Sequence, residues 1–124
     1  MKDARILVVD DDLDVLEMAD CFFKKAGMDV HCVESGEKAL EKILSTNFSA
    51  IITDFNMPGM NGLELAEKVR VIAPSIPILM TTGRPSQELF DRATQVGVKM
   101  IIPKPLRLEA LLNLVNEMIP STSS

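Results

Sequence analysis

The chain has no tryptophan and no tyrosine, one histidine, two cysteines and five phenylalanines among its 124 residues. The cysteines, Cys21 and Cys32, match neither a C-x-x-C redox pair nor a metal-ligand spacing, so they read as buried free thiols in a reducing compartment. Basic residues are outnumbered, 13 against 18 acidic, for a net charge of −5. That balance argues against broad electrostatic binding to nucleic acid or an anionic membrane. No apolar run reaches membrane-spanning length, and no signal pattern precedes the first apolar run. Linkers and low-complexity stretches are also missing. The expectation is one soluble, cytoplasmic domain over residues 1–120, with 121–124 as a flexible tail.

What is present is a regular alternation. Arg5 to Val9 is a short, continuous apolar run of the kind found in strands buried on both faces. Asp10, Asp11 and Asp12 end it, and Leu16, Ala19, Phe23 and Ala26 then recur at helical spacing until Gly27. Asp29 to Val33, Phe48 to Thr53, Ile76 to Thr81 and Lys99 to Ile102 read as four further strands. Between and after them lie helical stripes: Ala39, Leu40, Ile43 and Leu44; Leu65, Ala66, Val69 and Ile72; Leu89, Phe90, Ala93 and Val96; Leu108, Leu111, Leu112, Val115 and Met118. Asn61 with Glu64 forms a capping-box pattern, and Ser86 is a second N-cap candidate. Five βα units in series predict an α/β fold, a doubly wound five-stranded parallel sheet covered by five helices.

In a parallel sheet every strand's C-terminal end lies on one edge, where open α/β folds place their chemistry. Asp10 and Asp11 follow the first strand, Asp54 the third, Thr81 and Thr82 the fourth, and Lys104 the fifth. Clustered carboxylates repel unless a cation neutralises them, and oxygen ligands with room for water suit Mg²⁺ or Mn²⁺. With such an ion present, Asp54 can attack phosphorus in line, as carboxylates do in aspartyl-phosphate chemistry. Lys104 then balances charge on the phosphoryl oxygens, Thr82 donates a hydrogen bond to them, and Gly83 leaves room.

Other readings fit less well. Asp10, Asp12 and Asp14 begin like a calcium loop, but Val15 and Cys21 stand where glycine and glutamate are needed. A haloacid-dehalogenase-type phosphatase needs Thr or Val in place of Asp14 and a cap insertion. A flavodoxin-like cofactor site needs a glycine- and hydroxyl-rich loop where this chain has three aspartates. His31 falls mid-strand and reads as structural.

The runs Ile6 to Asp11, Asp54 to Gly62, Thr82-Gly83 and Lys104-Pro105 together resemble the receiver domain of bacterial two-component response regulators, the CheY-like fold. The resemblance covers residues 4–119 and implies a sheet of order 2-1-3-4-5. It implies that Asp54 is the phosphoacceptor, supplied by a sensor histidine kinase or histidine phosphotransfer protein. Asp11 and Asp54 would ligate Mg²⁺ directly, Asp10 through water and Asn56 through its backbone carbonyl. Thr82 and Lys104 would contact the phosphoryl group, and the Lys104–Pro105 bond would be cis. A downstream effector protein or output domain would read the state, and this domain would touch neither nucleic acid nor membrane. The alternative is an unphosphorylated module of the same fold used for protein interaction. One departure stands out: Ile101 occupies the place where the family often carries an aromatic coupled to the threonine.

Overall fold

The computed structural model describes residues 4–119, so the tail expected at 121–124 lies outside the described residues. The elements run β1 (Arg5–Val9), α1 (Leu13–Lys25), β2 (Asp29–Val33), α2 (Gly36–Ser45), β3 (Ala50–Asp54), α3 (Gly62–Ile72), β4 (Ile78–Thr82), α4 (Gln87–Gln95), β5 (Met100–Pro103) and α5 (Leu108–Met118). All strand pairs are parallel and the sheet order is β2-β1-β3-β4-β5, as the resemblance implied.

Alternation along the strands divides the core in two. Leu7, Val9, Ile51, Ile78 and Met80 face one side, where α2, α3 and α4 contribute Ala39, Ile43, Leu65, Val69, Leu89 and Ala93. Ile6, Val8, Ile52 and Leu79 face the other, against Leu16, Ala19 and Phe23 of α1 and Leu111 and Val115 of α5. Three helices on one face and two on the other make the doubly wound architecture. Leu44, Ile72 and Phe90, expected on the apolar stripes, are exposed because they lie at the margin or beyond the side of each helix that meets the sheet. Strands buried on both faces have no polar alternation, which is why they read as continuous apolar runs.

Three strands sit slightly further along the chain than their composition suggests. β4 begins at Ile78 because Pro77 has no N–H to give the ladder; its carbonyl still accepts from the Ile51 N–H at 3.0 Å. At the other end, the Phe55 N–H donates to Thr81 O at 2.8 Å and the Lys104 N–H to Thr82 O at 2.8 Å. Pairing therefore continues through Asp54, which is the last residue of β3 rather than the first of a turn.

The helix starts follow from capping chemistry. Asn61 Oδ1 accepts from the Glu64 N–H and Glu64 Oε1 from the Asn61 N–H, both at 2.9 Å, completing the capping box. Ser86 and Ser35 cap α4 and α2 in the same manner, without the reciprocal bond. Asn61→Ala should cost about 1 kcal/mol, since the Glu64 N–H loses the side-chain oxygen that accepts from it. Urea unfolding checks this, and an unchanged midpoint would show that the cap contributes nothing.

Cys21 is exposed and Cys32 is half-buried; both are free thiols. The expectation of burial therefore fails for Cys21, which lies on the solvent side of α1 while Leu16, Ala19 and Phe23 take its inner face. The Cys32 thiol is pushed up to about 11 by burial and by nearby Asp20. His31 lies 3.3 Å from both Asp29 Oδ1 and Lys42 Nζ, with its ring edge-on to Phe48. It is held among neighbouring side chains at the β2 edge of the sheet.

Candidate phosphoryl-transfer site

The parallel sheet delivers the chemistry-bearing residues to one edge. Asp10, just past β1, and Asp54, closing β3, are both buried, at 2% and 4% exposure, while Asp11 is exposed. Carboxylate oxygens of Asp10, Asp11 and Asp54 lie within 4.8 Å of one another, a spacing that one divalent cation can span. Lys104, just past β5, brings its Nζ to 3.5 Å from Asp10 Oδ2 and 3.3 Å from Asp54 Oδ1. Asp10 Oδ1 also accepts from the Asp12 N–H at 2.9 Å, while Asp12 caps α1. The Lys104–Pro105 peptide bond is cis, as the resemblance implied.

Charge is unevenly balanced here. Burial pushes the Asp54 carboxyl above its usual range, and Asp11 adds to that while Lys104 opposes it. Asp10 is raised chiefly by burial and further by Asp54 and Asp11, against the Asp12 N–H bond and Lys104. Burial alone would lower Lys104, yet the two carboxylates beside it hold it above its ordinary value. The lysine has two anions to itself, whereas each buried anion shares one cation, so the pairing favours the lysine and leaves the acids short of positive charge. The donor set is hard oxygen, and its deficit is of the kind a divalent cation corrects.

The two threonines of β4 separate. Side chains alternate along a strand, so Thr81, the register partner of Asp54, shares its face, and Thr82 points to the other. The Thr81 hydroxyl donates to Asp54 Oδ1 at 3.5 Å. The Thr82 hydroxyl instead accepts from the Arg84 N–H at 3.1 Å and has no hydrogen bond to Asp54. Thr82 shares its strand face with Ile101, which packs against the α2–α3–α4 core. Sequence reasoning placed Thr81 at this edge but gave it no task. Strand parity alone would have singled it out, once β4 was registered against β3.

Asn56 is exposed in the loop between β3 and α3. That loop closes tightly: the Gly62 N–H donates to Phe55 O at 3.0 Å, and Gly59 takes a positive φ of 76°. Among the described residues no helix is long and apolar enough to cross a membrane.

Fold and site together define a (βα)₅ domain with a carboxylate cluster and a lysine at the C-terminal edge of its sheet. A family model described as the response regulator receiver domain matches residues 6–116, and the chain belongs to that family. It is a receiver domain of two-component signalling. The chemotaxis protein CheY4 of Vibrio cholerae superposes with a TM-score of 0.91 at 32% identity, over 95% of this chain and 100% of that one. Response regulator MprA of Mycolicibacterium vanbaalenii is 34% identical over 96% of this chain and 52% of its own length. A cyclic di-GMP phosphodiesterase of Thermotoga maritima is 33% identical over 86% of this chain but only 28% of its own. The chain thus spans about half or less of the curated relatives it matches.

Proposed function

We propose that Asp54 accepts a phosphoryl group from a phosphohistidine on a sensor histidine kinase or histidine phosphotransfer protein, in a Mg²⁺-dependent reaction. The observation that carries this reading is the convergence of Asp10, Asp11 and Asp54 within 4.8 Å, with Lys104 bridging two of them. An Asp54 oxygen attacks phosphorus, an O–P bond forms and the N–P bond breaks. The imidazole leaves with the electron pair and is protonated from solvent. Mg²⁺, or Mn²⁺ in its place, would be held by Asp11, Asp54 and the Asn56 backbone carbonyl, with Asp10 acting through water. When bound, the ion supplies charge neutralisation for two anionic reactants.

Lys104 favours the charged form of the buried carboxylates against the effect of burial, and then pairs with a phosphoryl oxygen. Thr82 donates its hydroxyl proton to another. To do so it must turn from the α4 side of the sheet, which pulls on the loop that starts at Arg84. That displacement biases a two-state equilibrium of the α4–β5–α5 face, the surface read by an effector protein or output domain. Phe90 and Met100, at 53% and 42% exposure, are apolar anchors available there.

Incubation with a small acyl phosphate and Mg²⁺ should add one phosphoryl group to the intact chain, mapping to Asp54, and chelation should reduce labelling to background. Undiminished labelling in excess chelator would overturn the metal assignment. Label mapping to another residue would overturn the phosphoacceptor.

A further inference from the structure

Thr81 is an unusual residue for its place. It is 1% exposed, inside a strand whose preceding residues Ile78, Leu79 and Met80 are apolar and buried. Valine would fill the same volume without removing a hydroxyl from water, and an unpartnered buried hydroxyl is costly. No buried side-chain polar atom among the described residues lacks a partner, and the bond recorded for the Thr81 hydroxyl is the one to Asp54 Oδ1. Lys104 Nζ approaches the same oxygen, at 3.3 Å. Both donors therefore sit on Oδ1, which leaves Oδ2 as the oxygen free of them.

We propose that Thr81 is a positioning residue that shortens the life of the phosphoryl group on Asp54, by holding Oδ1 while Oδ2 carries the phosphorus. The proposal rests on the phosphoacceptor role of Asp54 given above. In hydrolysis a water oxygen attacks phosphorus and forms a new O–P bond. The P–Oδ2 bond breaks, and its electron pair returns to the aspartate as carboxylate charge shared by both oxygens. The water proton passes to the released phosphate or to solvent, and Thr81 keeps its own. A hydrogen bond to a charged acceptor is roughly twice as strong as one to a neutral acceptor. The Thr81 bond thus strengthens as Oδ1 changes from ester carbonyl to carboxylate, so it stabilises the transition state over the acyl phosphate. Its length of 3.5 Å in the resting site keeps the effect modest.

The test phosphorylates parent, Thr81→Val, Thr81→Ala and Thr81→Ser with a small acyl phosphate and Mg²⁺. The reagent is then removed, and decay of the label is followed by intact mass. Thr81→Val and Thr81→Ala should hold the phosphoryl group about two- to five-fold longer than the parent, and Thr81→Ser should restore the parent rate. A space-filling role predicts the opposite order, with Val silent and Ser and Ala perturbed. Equal or shorter lifetimes in Val, or disagreement between Val and Ala, would overturn the proposal. A parent chain that takes no label at all would instead overturn the phosphoacceptor reading.

Discussion

Asp54→Asn is expected to lose phosphoryl labelling to background and, in the same preparation, to melt at a higher temperature than the parent. The first half follows from chemistry: an amide offers no anionic oxygen to attack phosphorus. The second follows from the charge balance among Asp10, Asp11, Asp54 and Lys104 when chelator removes divalent cations. Two unit charges about 5 Å apart repel by roughly 3 kcal/mol at an effective dielectric near 20, and Lys104 cancels only part of this. Asparagine keeps the side-chain oxygen that accepts from Thr81 while removing one buried charge. A gain on the order of 1–2 kcal/mol in chelator is expected, which for a domain of this size raises Tm by roughly 4–8 °C.

The pH dependence has a definite sign. Asp54 and Asp10 are raised in the folded state above the ordinary carboxyl value of 3.8. Their favourable contribution is complete below that value and is lost as pH rises through the folded-state pKa. The stability difference between Asp54→Asn and parent should therefore be smallest in acid and reach its full size at neutral pH. Mg²⁺ should narrow it by binding the parent more tightly than the variant. Melting curves with and without Mg²⁺, in acid and at neutral pH, measure all of this. A variant that melts at or below the parent at neutral pH would mean the cluster is not under electrostatic strain.

Gly62→Ala should be the most damaging single methyl in the chain. A Cβ there would lie 2.6 Å from Asp54 O and 3.0 Å from Phe55 Cα, with Met80 Cε at 3.2 Å. The first two neighbours are backbone, so no rotamer change relieves them, and the Asp54 carbonyl itself must move. Overpacking of this kind costs typically 1–3 kcal/mol, and here the upper part of that range is expected. Because the displaced atoms carry Asp54, Mg²⁺ affinity should fall along with stability. Gly83→Ala is the matched control, since nothing lies within 4 Å of a Cβ at that position. Urea unfolding and Mg²⁺ titration of both variants decide the matter; equal stability for the two would mean the 55–62 loop accommodates the methyl.

Much of this was legible without coordinates, for an identifiable reason. The central strands β1, β3 and β4 are buried on both faces and largely apolar until their C-terminal ends, and each of the five strands is followed by an amphipathic helix, so the units are readable in series. Asp10, Asp11, Asp54 and Lys104 were legible because a parallel sheet sends every strand's end to one edge, whatever the sequence distance. Strand limits were less legible. β3 and β4 start two residues later than composition indicates, because β propensity does not report where a ladder finds its partners. The exposure of Cys21 was missed because cysteine's usual burial is only a tendency, whereas the α1 stripe fixes which residues turn inward.

Fold class, the edge at which the carboxylates and the lysine collect, and the chemistry that hard oxygen ligands beside an aspartate favour all follow from the order of residues along the chain. Those depend on residue type and on connection rules that hold for any parallel sheet. Tertiary structure decided which of two adjacent threonines hydrogen-bonds the Asp54 carboxylate before any phosphoryl group is present. Register pairs Thr81 with Asp54, and a shift of one residue along β4 would exchange the faces of Thr81 and Thr82. It also decided how many carboxylates share the single lysine, and hence that burial leaves Asp10 and Asp54 short of positive charge. Distances and burial arise only when strands are laid side by side, and a linear sequence carries neither.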